Sequence, residues 1–179
     1  MEELLVAISK LKKGKSPGPD ELPAEIFIYA GKGLLEELLK LFNKIKETKV
    51  IPDQWNLVHI TTIYKNKGSK KELVNYRGIF LTIVVKMIFE NLIKERMKEH
   101  LEKVNKHQGG SRTERSPPDN LFLLYACIDH QKYKNKPVYV TAYDFEQAFD
   151  ALWLQDCILS LHKIGVPTDI LHLIYNLNK

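Results

Sequence analysis

Two cysteines, Cys127 and Cys157, are all the thiol chemistry this 179-residue sequence offers. They form no Cys-x-x-Cys pair, and two alone make no disulfide framework. Both fall in apolar stretches of helical character, so buried, reduced thiols and an intracellular, reducing compartment are expected. Cys127 and His130 share a helical face, but a zinc site needs four ligands, or three plus water. The other histidines, such as His59, His107, His162 and His172, lack metal-ligand spacing. No apolar run approaches the ~18 residues of a membrane span. The run "IFLTIVV" stops at Lys86, no basic-then-apolar leader opens the chain, and no membrane partner is expected. A Gly-x-Ser-x-Gly elbow and a Walker loop are both missing. So is any pair of adjacent aspartates.

What is present is globular. Hydrophobic residues make up 44% and charged residues 27%, a balance that can bury a core. Lys plus Arg exceeds Asp plus Glu by 27 to 22, giving +5 and a pI near 9.0. That excess permits a polyanionic partner without demanding one.

Periodicity divides the chain. Residues 2–12 read as a short helix, followed by the Gly/Pro break "KGKSPGPDELP". Pro23 opens "PAEIFIYAG", since a proline at the first helical position costs no hydrogen bond. Leu34, Leu35, Leu38, Leu41, Phe42 and Ile45 form one helical face. From Trp55 the period changes, and "WNLVHITTIYK" and "NYRGIFL" read as strands about a lysine-rich turn. The 3.6 period returns with Val84, Val85, Ile88, Leu92 and Leu101. The loop "HQGGSRTERSPPD" precedes a helix opened at Pro118 or Asp119. "KPVYVTAYD" reads as a strand, "EQAFDALWLQDCILSLHKIG" as a helix closed by Gly165, and Pro167 starts a last helix. The fold class is α+β, mostly helical with few strands. Trp55 and Trp153 are expected in core or strand positions rather than as base-stacking platforms.

Two constellations carry chemistry. Asp144 ends a strand, where the backbone is fixed and the loop beyond is open to ligands. Mg²⁺ favours one or two carboxylates plus substrate phosphates, which suits Asp144, although a turn or capping role fits the spacing too. A helix starting near Glu146 would turn Asp150 away, leaving it structural. The second constellation is basic. Lys65, Lys67, Lys70, Lys71 and Arg77 flank one hairpin turn and suit a triphosphate or a nucleic-acid backbone, or equally a solvated tip. Arg112 and Arg115 lie in a further loop, where Gly109 and Gly110 allow close backbone approach or simply a turn.

Taken in order, the motifs resemble the reverse transcriptase domain of LINE-type, non-LTR retrotransposons, close to the jockey-like group. "KSPGPDELPAEIF" is similar to the segment preceding that family's fingers. "NYRGIFL" with "VVKMIFENLIKERM", and then "QGGSRTERSPPDNLFLL", resemble its two fingers motifs. "YDFEQAFDALW" resembles the palm motif bearing the first catalytic aspartate, and "LHKIGVPTDILHLIYNL" the helices after it. Nearly the whole chain is covered.

The resemblance implies fingers over about 1–136 and the start of a palm over about 137–179. It implies Asp144 as a catalytic, metal-binding residue for Mg²⁺. Phe145 would lend a backbone carbonyl to a second ion, and Phe149 would gate the 2′-hydroxyl of the incoming nucleotide. Arg77, with Lys65 or Lys67, would contact the triphosphate. Gln108, Gly109, Gly110 and Arg112 would contact template and nucleotide. The implied partners are an RNA template, a DNA primer and a dNTP. A full-length relative would act at chromosomal DNA in the nucleus, and for this chain the nucleus and the cytoplasm both stay open.

In that family the partner carboxylates come from a later Tyr/Phe-x-Asp-Asp hairpin, which these 179 residues do not contain. A single carboxylate cannot hold a two-metal site, so the chain alone is expected to be inactive, a fragment ending before the second catalytic motif. Ser111, Glu114, Pro117, Pro118 and Phe80 depart from the family pattern, with the two prolines expected to crowd the turn. Two other readings stand beside the polymerase fragment: a non-catalytic nucleic-acid-binding module, and an unstable retroelement relic.

Overall fold

Leucine spacing organises the first fifty residues. The computed structural model describes residues 1–104, 108–110, 116–145, 148 and 152–179. Helix α1 (Glu2–Ser9) buries Leu4, Ala7 and Ile8, a one-sided i, i+3, i+4 set. It stops at Ser9, short of the expected Lys12, and the Ser9 hydroxyl donates back to the Val6 carbonyl at 2.8 Å. The Gly/Pro break follows, and Gly18 is buried against the backbone of Thr82 and Ile83. A Cβ there would sit 2.6 Å from the Thr82 carbonyl, so only glycine fits. Pro23 is the extended N-cap of α2 (Ala24–Ile28), just outside the helix rather than its first residue.

Helix α3 (Lys32–Thr48) buries Leu38, Phe42 and Ile45, with Leu35 and Leu41 packed beside them, so the expected stripe faces the core except for Leu34, which is exposed. A 3₁₀ turn, Asp53–Asn56, then seats Trp55 in that core. This is why β1 (His59–Tyr64) starts later than Trp55: the indole is used for packing before the chain extends. Strand β2 (Tyr76–Leu81) returns antiparallel, with His59 opposite Leu81 and Tyr64 opposite Tyr76. Helix α4 (Val84–Leu101) buries Val84, Ile88, Phe89 and Ile93.

Helix α5 (Pro117–Tyr133) begins at the two prolines the sequence reading expected to crowd a turn. They occupy its first positions, and Ser116 and Asp119 close a capping box around them. Helix α6 (Leu154–Lys163) ends at Gly165, whose φ of +88° suits glycine, and α7 (Thr168–Leu177) follows. The described architecture is mostly helical with one two-stranded sheet, in line with the α+β expectation.

One core joins α1, α2, α3, α4 and α7. At its centre the rings of Phe42, Trp55 and Phe89 lie 5.2–6.3 Å apart by centroid, mostly edge to face. Polar straps hold the periphery. Asn176 donates to the Lys49 carbonyl at 2.8 Å, fixing α7 to the end of α3. Buried Lys86 donates to the Leu177 carbonyl at 3.1 Å, satisfying one carbonyl at the C-terminus of α7. Arg96 pairs with Glu3 at 2.6 Å, and Lys10 pairs with Glu95, clamping α1 onto α4.

Four expectations change. "KPVYVTAYD" is not a strand: residues 137–145 pair with nothing among the described residues, and Tyr139 and Tyr143 are exposed. A run of β-formers supplies propensity, but a strand needs a partner. The helix expected from Glu146 starts at Leu154, with Leu152 and Trp153 outside it; Asp150, read as structural, lies outside the described residues. Trp153 is exposed rather than buried. Cys127 is exposed and Cys157 half-buried, because α5 buries none of its residues and α6 buries no residue fully.

Two outcomes are expected. Phe89→Ala should destabilise the protein by about 3–5 kcal/mol in chemical denaturation, since it empties the centre of the aromatic cluster. Acid should loosen α1 first. The Arg96 guanidinium holds Glu3, and Lys10 holds Glu95, below the ordinary value of 4.5. A depressed carboxylate stabilises the fold above its unfolded pKa, and that contribution is lost as pH falls through the folded value. Burial pushes Glu90 the opposite way, so its protonation favours the fold. Hydrogen exchange should therefore show α1 amides losing protection below about pH 4.5, ahead of those of α4.

Candidate nucleic-acid interface

Four of the five cations, Lys65, Lys67, Lys70 and Lys71, lie in the loop between β1 and β2, Arg77 lies within β2 opposite Ile63, and the loop backbone is locally pinned. The Lys65 amide donates to the Asn75 carbonyl at 2.8 Å, continuing the ladder. The Asn75 side chain donates to the Ser69 carbonyl at 2.8 Å and to Glu72 Oε2 at 3.1 Å. Tyr64 and Tyr76 face each other across the strands with ring centroids 5.4 Å apart. Their hydroxyls donate to the Gly68 carbonyl at 2.5 Å and the Lys70 carbonyl at 2.9 Å. Two strand-end tyrosines thus staple the lysine loop from both sides. Gly68 has φ +81°, and a Cβ there would meet the Asn75 amide at 2.5 Å.

This packing sorts the cations. Lys65 turns its ammonium onto the Val74 carbonyl at 2.8 Å. Lys70 lies over the Tyr64 ring at 5.6 Å, a cation–π contact. Lys67, Lys71 and Arg77 are exposed, and no ion pair or side-chain hydrogen bond engages their charges among the described residues. Of the two lysines the sequence leaves open, Lys67 is therefore the free one.

The other candidates stand apart. Gln108 is exposed; Gly109 is buried, where a Cβ would lie 2.7 Å from the Asn120 amide; Gly110 faces open space. Close approach thus explains Gly109 and not Gly110. Arg112 and Phe149 lie outside the described residues. Asp144 and Phe145 are exposed, and no described contact joins them to the hairpin. Among the described residues, no three His, Cys, Asp or Glu side chains converge to hold a metal ion. Asp144 could give one carboxylate to a Mg²⁺ ion that draws its other oxygens from water and substrate phosphates, whereas a two-metal centre would need further carboxylates. No described helix is long and apolar enough to cross a membrane.

Sequence reading missed Tyr64, Asn75 and Tyr76 as the residues that order the loop. A signal existed: the two tyrosines bracket a Gly-containing turn at strand ends.

Residues 65–179 match the family model described as reverse transcriptase (RNA-dependent DNA polymerase), and the match begins at the first lysine of this hairpin loop. The chain belongs to the reverse transcriptase family. Its curated relatives place it with the LINE-type, non-LTR retrotransposon enzymes. It is 27% identical to the probable RNA-directed DNA polymerase from transposon BS of Drosophila melanogaster, over 92% of this chain and 18% of that protein. It is 26% identical to a putative 115 kDa protein in the type-1 retrotransposable element R1DM of the same species, over 91% of this chain and 16% of that protein. It is also 26% identical to the RNA-directed DNA polymerase from mobile element jockey of Drosophila funebris, over 86% of this chain and 17% of that protein. The chain thus spans under a fifth of the length of these relatives.

Gly68→Ala tests the hairpin geometry. The added methyl meets the Asn75 amide in a conformation that L residues rarely adopt, so the staple should open. The Tyr64 and Tyr76 ring resonances should lose their cross-strand contacts in NMR spectra while the core methyls of Ile88 and Phe89 neighbours stay unchanged.

Proposed function

We propose that this chain is the nucleic-acid-engaging part of a LINE-type RNA-directed DNA polymerase. Residues 1–136 serve as fingers and 137–179 as the opening of the palm. The observation that carries this reading is the stapled hairpin, which holds free cations on an ordered platform where the family match begins. Lys67 and Arg77 neutralise phosphate, either on the incoming triphosphate or on the RNA template and DNA primer. Gln108, Gly109, Gly110 and Arg112 contribute a template-contacting loop. Asp144 is one catalytic carboxylate, with Phe145 and Phe149 beside the nucleotide. In a longer polymerase, two Mg²⁺ ions held by further carboxylates would supply Lewis-acid stabilisation of the transferred phosphoryl group. These 179 residues alone do not offer that ligand set and are proposed to be inactive in nucleotidyl transfer.

A second reading, a binding module without catalysis, is favoured by the same hairpin. Its order depends on contacts within residues 64–76 and not on Asp144.

Fluorescence anisotropy with an RNA template–DNA primer duplex, at several salt concentrations, tests the shared claim. Binding should weaken linearly in log–log form. Lys67→Ala and Arg77→Ala should each lower the slope by about 0.7–0.9, the loss of one phosphate contact. Asp144→Asn should bind as the parent does. Primer extension with Mg²⁺ and dNTPs should yield no product. Salt-independent binding would remove the interface, and extension by the 179-residue chain would remove the claim of inactivity.

A further inference from the structure

A recess lies where the "KGKS" break meets α2 and the start of α4. Its volume is about 140 Å³, and it is lined by Leu11, Lys12, Lys15, Ser16, Ala24, Val84 and Met87. The floor is apolar: Ala24 and Val84 are buried, and Leu11 packs against the main core. The rim is polar and unspent. Lys12, Lys15 and Ser16 are exposed, and no ion pair or side-chain hydrogen bond engages them among the described residues. Neighbouring groups differ, since Lys13 is held over Tyr29 and the Gly14 amide donates to Glu25 Oε1. Those two contacts fasten the loop to α2, so the rim is positioned rather than free-swinging.

We propose that this recess is a binding site for a small amphiphilic anion: an apolar body of about six carbons carrying one carboxylate or phosphate. The volume sets the size, since an apolar cavity of about 150 Å³ accommodates benzene. The rim sets the charge, since the exposed Lys12, Lys15 and Ser16 line the recess. The floor sets the chemistry of the body. Leu11, Ala24 and Val84, with the exposed Met87 at the rim, offer no side-chain hydrogen-bond partner, and a nucleobase seated there would bury its polar edge unpaired. A hydrocarbon chain or plain aromatic ring meets no such cost. The site therefore differs in ligand class from the hairpin, for which phosphate is proposed.

Phenylacetate, benzyl alcohol and acetate separate these contributions. The full 179-residue protein, carrying ¹³C-labelled methyl groups, is titrated with each and followed by NMR. Phenylacetate should shift the methyls of Leu11, Ala24, Val84 and Met87. Benzyl alcohol should shift the same methyls with about tenfold weaker affinity, lacking a charge-assisted hydrogen bond. Acetate should leave them in place. Lys12→Gln combined with Lys15→Gln replaces exposed groups and should bring phenylacetate down to the affinity of benzyl alcohol. Met87→Trp fills the recess from its rim and should abolish both. Equal affinity of phenylacetate and benzyl alcohol for the parent protein would overturn the proposal. So would shifts confined to the lysine rim, the same for acetate as for phenylacetate, which would mean surface ion pairing only.

Discussion

The contact of three rings, Phe42 from α3, Trp55 from the 3₁₀ turn and Phe89 from α4, lies at the base of the basic hairpin and anchors it to the core. Trp55 lies just before β1, and α4 starts just after β2. Both feet of the hairpin are therefore anchored in one aromatic cluster, while both of its faces carry exposed side chains. A two-stranded hairpin is marginal by itself in water. Here it is held by its ends and by its tip, through the cluster and the tyrosine staple. Gly18 adds a third hold, bringing the Gly/Pro break against the backbone between β2 and α4. That glycine links the motif preceding the hairpin to the hairpin's base through sterics alone.

Helices whose apolar stripe meets the core were legible by spacing, and α5, which buries none of its residues, was legible from the prolines and aspartate at its start. Leu38, Phe42 and Ile45, or Val84, Ile88 and Leu92, announce their faces by spacing, and spacing is local information. The hairpin was legible for the same reason, being two β-branched runs about a lysine- and glycine-bearing turn. What escaped was non-local. Trp55 reads as the start of a strand until Phe42 and Phe89 are known to flank it. The segment 137–145 has strand propensity and no described partner. The exposure of Cys127 could not be read from the run "LFLLYACI", because composition says that a helix is apolar and not what covers it.

Helix α5 shows how far local order extends without a core. Its N-terminus is well specified, with Pro117 and Pro118 at the start and Ser116 and Asp119 exchanging capping hydrogen bonds. Yet Phe122 is 72% exposed and Tyr125 64%. Capping defines where a helix begins and contributes about 1 kcal/mol. Burial of large side chains contributes more per residue, and α5 draws none of it from the described residues.

The two halves of the candidate site therefore differ in what they depend on. The cations of the hairpin are set by contacts spanning about a dozen residues, through the Asn75 amide, two tyrosine hydroxyls and the strand ladder. Such contacts need little beyond the local chain and the aromatic anchor. A carboxylate that shares a metal must instead be held near other carboxylates, against their mutual repulsion, and that takes a sheet that fixes all of them. Asp144 follows an unpaired run and belongs to no group of three or more potential metal ligands among the described residues. Phosphate recognition is thus the more self-contained of the two chemistries, since it asks only for exposed positive charge on an ordered loop.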